Sequence, residues 1–368
     1  MKNCSLKQFM LSHLSHRGRG TILSPPNRFE RLSVESDDGA WEEIAKVDPD
    51  FEPRRVRTEF LRDDTRSLIT SNHSPDIGFT HSLNPYRGCE HGCAYCYARP
   101  YHEYLGYNAG IDFETRLLVK ERAPELLEAE ISKKTWRPTP LACSGVTDCY
   151  QPVERKLEIM RRCLEVLADF RHPVGLITKN ALVTRDLDHL RDLAQHGAAN
   201  VVLSLTTLDG QLASALEPRA SRPDARLTAI KTLSEAGIPV GVSIAPIIPG
   251  LNDHEIPSLM EAAASHGATF ASGTVLRLPY SVKDVFSAWL DRFKPERKAL
   301  ILGRVAELRG GKLNDSTFGS RMTGSGPLAD QIGRLLEVAK RRNGLDLPRA
   351  PLSTKAFQRR MPGQPELF

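Results

Sequence analysis

From Phe79 onward, short runs of β-branched and apolar residues alternate with stretches whose apolar residues recur at helical spacing. That alternation constrains the fold more than any other feature of the chain. The strand candidates cover residues 117–120, 141–146, 174–179, 201–206, 240–248 and 271–278. Between them, one helical pattern starts at Glu154 and carries Leu157, Met160, Leu164 and Leu167 on a face. Another runs from Thr184 through Leu187, Leu190 and Leu193 to Gly197, a helix stop. Two more cover residues 226–236, closed by Gly237 and Pro239, and residues 253–265, closed near Gly267. Repeated strand–helix units set parallel strands side by side with helical crossovers. About six units fall short of the eight of a closed barrel, which leaves an α/β fold built as an open partial barrel or a doubly wound sheet. In either arrangement ligands gather at the carboxyl ends of the strands, and each unusual polar cluster below follows a predicted strand.

The flanks read differently. Residues 1–75 form a basic arm, extended or partly disordered, with Arg17-Gly18-Arg19-Gly20, Ser24-Pro25-Pro26-Asn27-Arg28, and then Arg54, Arg55, Arg57, Arg62 and Arg66. The core spans residues 76–294. Residues 295–347 make a C-terminal helical extension with patterns over 296–309 and 327–342, and residues 348–368 are a polar tail expected to be loose. A chain of 368 residues with 40% hydrophobic and 26% charged side chains has ordinary globular composition. No apolar run approaches the ~20 residues that cross a bilayer, and the first residues lack the apolar core of a signal peptide. A cytoplasmic protein without membrane contact is the expectation. The net charge of +5 permits contact with a polyanion and equally a plain mixed surface.

The chemistry is concentrated in Asn84-Pro85-Tyr86-Arg87-Gly88-Cys89-Glu90-His91-Gly92-Cys93-Ala94-Tyr95-Cys96-Tyr97. Three of the seven cysteines fall here, spaced C-x3-C-x2-C. In a reducing compartment clustered cysteines bind metal or do chemistry, and an odd total fits a disulfide framework poorly. Structural zinc sites close four ligands, usually from two paired motifs, and no second Cys/His pair of that spacing follows. His91 lies inside the loop as a ligand or as a plain loop residue. A [4Fe–4S] cluster normally takes four thiolates, so three leave one iron open to an exogenous ligand. The residues therefore point to a catalytic centre with an open iron, or to a non-catalytic zinc or iron–sulfur module.

The triplet Cys89, Cys93 and Cys96, with Tyr95 just before its last cysteine, resembles the signature of the radical S-adenosylmethionine (SAM) superfamily, and the likeness runs from Phe79 to Leu290. It is most similar to the branch of spore photoproduct lyase and the bacterial proteins labelled DNA repair photolyases. The resemblance implies a partial (β/α)6 TIM-type barrel. It also implies a [4Fe–4S] cluster held by Cys89, Cys93 and Cys96, with SAM chelated to the open iron. Reductive cleavage of SAM then yields a 5′-deoxyadenosyl radical that abstracts hydrogen from a substrate. An electron donor such as flavodoxin or ferredoxin is implied because the cluster needs an electron.

Contacts for SAM are expected at the strand ends. Ser144, Thr147 and Asp148 offer acceptor chemistry where the superfamily often carries a Gly-Gly-Glu-type motif, although Asp148 and Gln151 also suit the turn before Glu154. Lys179 reaches a carboxylate as a point charge or is simply solvated. Ser204 matches the ribose-contacting serine of the branch, and Arg219 suits bidentate carboxylate binding. Residues 241–253, with Ala245 and Pro246, resemble the adenine-contacting element, and Tyr95 supplies a stackable wall beside the cluster. In spore photoproduct lyase a cysteine in this part of the barrel returns a hydrogen atom to the product radical. Cys143 and Cys149 are the candidates here, against the commoner outcome of a buried thiol. Cys163 reads as core and Cys4 as part of the loose terminus; no residue is assigned a catalytic role. The photolyase-like resemblance and the basic arm point to a nucleic-acid substrate, damaged DNA first, with the lesion flipped into the barrel mouth. The low aromatic content of 7% leaves RNA, peptide or metabolite substrates open.

Overall fold

The computed structural model describes residues 18–21, 23–30, 56–347 and 350–359. Cys4, Arg17, Arg54 and Arg55 lie outside them. The strands in chain order are β1 (Glu59–Arg62), β2 (Ile69–Ser71), β3 (His81–Leu83), β4 (Tyr86–Arg87), β5 (Arg116–Val119), β6 (Leu141–Cys143), β7 (Val174–Thr178), β8 (Ala199–Ser204), β9 (Val240–Ile247) and β10 (Phe270–Val275). β3, β6, β7, β8, β9 and β10 lie side by side in that order, every neighbouring pair parallel, and β2 adds antiparallel to β3 at one edge. The curved sheet does not close on itself. This is the partial barrel that the resemblance implies and one of the two arrangements that the alternation leaves open, and β8, buried on both faces, reads as the near-continuous apolar run of a parallel strand.

One strand is placed differently from the expectation. Of residues 117–120, all but Lys120 fall in β5, which pairs parallel to β1 and antiparallel to β4 in a separate three-stranded sheet. The first strand of the barrel is β3 instead. It is too short, and too polar at His81 and Ser82, to show a strand period. The stretch read as an arm also contributes ordered structure, because β1 and β2 both lie within it.

The helices are α1 (Ala123–Ile131), α2 (Ile159–Asp169), α3 (Leu187–Gln195), α4 (Gly210–Leu216), α5 (Pro223–Glu235), α6 (Ile256–Ser265), α7 (Val282–Phe293), α8 (Lys298–Glu307) and α9 (Pro327–Arg342), with shorter turns between. Gly197 (φ +63°) and Gly237 (φ +77°) close α3 and α5, the left-handed stop that glycine allows. The helix expected from Glu154 is interrupted at Glu158, whose φ is +51°. Leu157 thereby turns outward, 37% exposed, while Met160, Leu164 and Leu167 are buried. α7 was not anticipated. Its Val282, Phe286, Trp289 and Leu290 pack with Ile301 and Val305 of α8 into a second apolar cluster that continues to Cys93, Ala94 and Tyr95. The tail is docked over its described part: the Gln358 amide donates to the Phe170 carbonyl, and Phe357 sits edge-on to His172. Among the described residues no helix is long and apolar enough to cross a membrane.

The break at Glu158 makes a direct test. Leu164→Ala removes a fully buried side chain and should cost about 2–5 kcal/mol in urea unfolding, whereas Leu157→Ala should stay within about 0.5 kcal/mol of the parent. Equal losses would mean that one unbroken helix buries both.

Candidate active site

The chain leaves β3, crosses β4 and enters the cysteine loop at the carboxyl end of the sheet. Cys89 and Cys93 are buried and Cys96 is partly exposed. The Cys89 amide donates to the Phe113 carbonyl (2.8 Å) and the Ala94 amide to the Leu216 carbonyl (3.0 Å), so α4 and the segment before β5 fix the loop from two sides. Arg99 is fully buried behind it. It donates from Nε and Nη2 to the Cys93 carbonyl (3.1 and 2.9 Å) and from Nη1 to the Gly110 carbonyl (2.9 Å).

Four carboxylates clamp the loop. Glu90 pairs with Arg219 (2.9 Å) and accepts from the Thr58 hydroxyl (3.1 Å). Asp148 accepts from the Lys179 amide (2.8 Å), the Thr178 hydroxyl (2.8 Å) and the Tyr150 amide (2.9 Å), and faces His91 Nδ1 at 3.4 Å. Burial opposes its ionisation, yet His91 and these donors hold it below the usual carboxylate range. Glu114 accepts from Arg99 Nη2 (2.6 Å) and from the Gly20 amide (2.9 Å). Glu217 accepts from the Tyr95 hydroxyl, from Arg226, and from Thr206 (2.6 Å), with Lys179 Nζ at 3.3 Å. Burial works against the Glu217 charge, but Arg226 and Lys179 override it and hold its pKa far below the ordinary value. Burial and Glu217 together keep the Tyr95 phenol protonated.

The segment before the core is part of this clamp. Gly20 lies so close to Gly92 that a Cβ on it would stand 1.5 Å from the Gly92 carbonyl oxygen. Arg19 donates to the Glu114 carbonyl (2.8 Å) and to the Thr58 hydroxyl (2.9 Å). Arg19 and Gly20 thus strap the back of the cysteine loop, with glycine where two backbones meet.

The residues expected to hold SAM fall into two groups. Tyr95, Asp148, Lys179 and Ala245 converge: Lys179 Nζ donates to the Ala245 carbonyl (3.2 Å) and sits 5.7 Å from the centre of the Tyr95 ring. Ser204 is buried at the end of β8, in register with Ser243 of β9 and, through it, Ser272 of β10. The Pro246 carbonyl accepts from Asn252, which also donates to the Thr206 carbonyl. Of the other residues, Ser144 bonds within its own turn, and Thr147 and Arg219 bond to the loop stretch. Ser144 adopts φ +76° and accepts from the Cys149 amide (2.9 Å), the Thr147 hydroxyl donates to the Tyr86 carbonyl (2.8 Å), and Arg219 is taken by Glu90. Cys143 and Cys149 are wholly buried in the main core, and burial raises both thiols. Sequence reasoning missed Glu217, Arg226 and Thr206 as a unit. The available signal was Glu217-Pro218 directly before Arg219, a carboxylate beside the arginine it was passed over for.

The donor chemistry fits a cubane. A [4Fe–4S] cluster would offer a separate iron to each of Cys89, Cys93 and Cys96. His91 is engaged by Asp148 and, at 3.5 Å, by the Asn180 side-chain amide, which leaves three thiols as the ligand set. Burial pushes all three thiols up, and a cluster held there would take them as thiolates with release of their protons.

A three-thiol loop at the mouth of an open six-stranded barrel defines the class of partial-barrel iron–sulfur enzymes. The Radical SAM superfamily profile matches residues 83–263. An uncharacterized protein of Mycobacterium tuberculosis is 35% identical over 234 residues, spanning 63% of this chain and 68% of that one. One from Methanocaldococcus jannaschii is 32% identical over 178 residues, 48% of this chain and 64% of its own length. Among solved structures, a spore photoproduct lyase variant aligns with a TM-score of 0.56 at 15% identity over 86% of this chain and 85% of the other. A spore photoproduct lyase complexed with dinucleoside spore photoproduct aligns at 0.55 and 16%, over 77% and 79%. The likeness to these structures is one of fold. The chain belongs to the radical SAM superfamily and is an enzyme of that superfamily, whose cofactors are a [4Fe–4S] cluster and SAM.

Two substitutions probe the clamp. Glu217→Gln leaves Arg226 and Lys179 without their counter-charge and should cost about 3–5 kcal/mol in urea unfolding; a loss near zero would remove Glu217 from the account. Gly20→Ala should detach the strap, worth about 1–3 kcal/mol of hydrogen bonding locally, and the reconstituted cluster should bleach in air several-fold faster at unchanged far-UV circular dichroism. An unchanged bleaching rate would show that the strap does not protect the loop.

Proposed function

We propose that Cys89, Cys93 and Cys96 hold the cluster, and that the enzyme uses it to abstract hydrogen from a nucleic-acid substrate, with damaged DNA the first candidate. The observation that carries this reading is the placement of the three thiols on a clamped loop directly after the first parallel strand, at the carboxyl end of the sheet. Bound there, cluster and SAM supply a 5′-deoxyadenosyl radical by one-electron cleavage of SAM. The chain's own residues position and shield. Tyr95, held by Glu217 and Thr206, walls one side of the loop, and Lys179 presents its ammonium beside that wall. Ser204 and the backbone at Ala245–Pro246 line the neighbouring strand ends and would hold the ribose and adenine of SAM. The apolar cluster from α7 and α8 behind Cys93 and Tyr95 keeps water from the loop.

Support for nucleic acid comes from the fold shared with spore photoproduct lyase and from the basic segment before the core. RNA, peptide or metabolite substrates are the alternatives. The electron donor on this reading is a flavodoxin or ferredoxin. Anaerobic reconstitution followed by SAM and dithionite should yield 5′-deoxyadenosine, and Cys96→Ala should abolish it. Stoichiometric zinc and no SAM cleavage would contradict the proposal. Turnover with UV-irradiated DNA tests the substrate: lesion loss supports DNA, and its absence in an enzyme that cleaves SAM rejects it.

A further inference from the structure

Two residues beyond β10, next to the cysteine loop, stands Arg277, which forms no ion pair with a carboxylate among the described residues. The Arg277 guanidinium lies 5.9 Å from the centre of the half-exposed Tyr97 ring, adjacent in sequence to Cys96. Its Nη1 donates to the Met322 thioether at 3.6 Å, a weak acceptor. Its Nε is buried and without a partner among the described residues. The Nε–Nη2 edge is the one that grips an oxyanion side-on, and a buried donor left unpaired calls for an explanation.

Two further guanidinium groups stand by. Arg309 is 4% exposed, donates to the Leu276 and Ser320 carbonyls (2.9 and 3.0 Å), and also has a buried, unpaired Nε. Arg321 is held by Asp76 and Ser74, and the Gly319 amide donates to Asp76 (2.7 Å), so the segment is fastened in place. Burial and the charge of Arg321 pull the Arg277 pKa down, and burial with Arg277 does the same to Arg309. Asp76 and Asp315 are the carboxylates that offset this charge; Asp76 is committed to Arg321, and Asp315 accepts from Ser320 (2.5 Å). Positive charge is therefore in surplus beside the place where the cluster is to sit.

We infer that Arg277, backed by Arg309 and Arg321, binds a phosphate group of the substrate at the mouth of the barrel. The inference rests on the reading of this mouth as the substrate entrance. Arg277 offers the open fork, while the Arg309 and Arg321 groups, already bonded to carbonyls, Asp76 and Ser74, add positive potential that favours a multiply charged phosphate. The phosphate belongs either to a nucleic-acid backbone or to a small phosphorylated metabolite.

The test uses the full chain, reconstituted anaerobically, in two assays. One is the shift in melting temperature in phosphate against chloride at equal ionic strength. The other is the anisotropy of a fluorescein-labelled single-stranded thymidine decamer. The parent should be stabilised by phosphate, and Arg277→Gln should lose that shift. If the decamer binds, Arg277→Gln should weaken it about tenfold and lower its salt slope by about 0.7. Arg277→Lys, which keeps the charge and loses the fork, should recover part of each, and it serves if the glutamine variant does not fold. A phosphate shift lost in Arg277→Gln with no decamer binding by the parent keeps the phosphate site and rejects the nucleic-acid substrate. A parent indifferent to both ligands, or variants that bind both as the parent does, overturns the inference.

Discussion

The Glu217 carboxylate is the contact on which the site depends. Through its two oxygens the cysteine loop at Tyr95, the segment after β8 at Thr206, the end of β7 at Lys179 and α5 at Arg226 are tied to one buried point. A buried carboxylate is tolerable only when its charge is matched and its lone pairs are filled. Here two cations and two hydroxyls do both. The consequence is geometric: Tyr95 cannot move without unpairing a charge, so the thiols on either side of it are held in register with the strand ends.

Glu90, Asp148 and Glu114 repeat the device around the loop, each linking it to a different element. Three of the four clamping carboxylates, Asp148, Glu114 and Glu217, come from residues distant in sequence, and they add to the backbone bonds of Cys89 and Ala94. Preorganisation of this kind sets the three thiols and the neighbouring strand ends in place before any ligand arrives, which is what positioning chemistry requires. Thr147 and Arg219, two of the side chains expected to contact SAM, also bond to the loop stretch.

The parallel strands from β6 to β10 and the helices between them were legible because apolar periodicity and glycine stops are local signals. β3 was not, because three residues carry no period. The assignment of residues 117–120 failed for a related reason: a strand's sequence says that it is buried, not which sheet buries it. The interruption at Glu158 was invisible as well, since a glutamate with positive φ has no sequence signature and the heptad-like spacing of Leu157 continued through it. In the site, the thiols announced themselves by spacing, while Glu217, Arg226 and the Gly20–Gly92 contact depend on residues that only folding brings together. The tail at Phe357 docks for the same reason, through one ring against Phe170 and His172 that a polar, Pro-containing composition conceals.

The central claim is that three thiols hold a cubane with one iron left for SAM. Electron paramagnetic resonance of the anaerobically reconstituted and reduced protein, with and without SAM, tests it most directly. The account predicts a reduced [4Fe–4S] signal whose g-values change when SAM is added, because the ligand binds the cluster itself. A [4Fe–4S] signal identical in the presence and absence of SAM would contradict it.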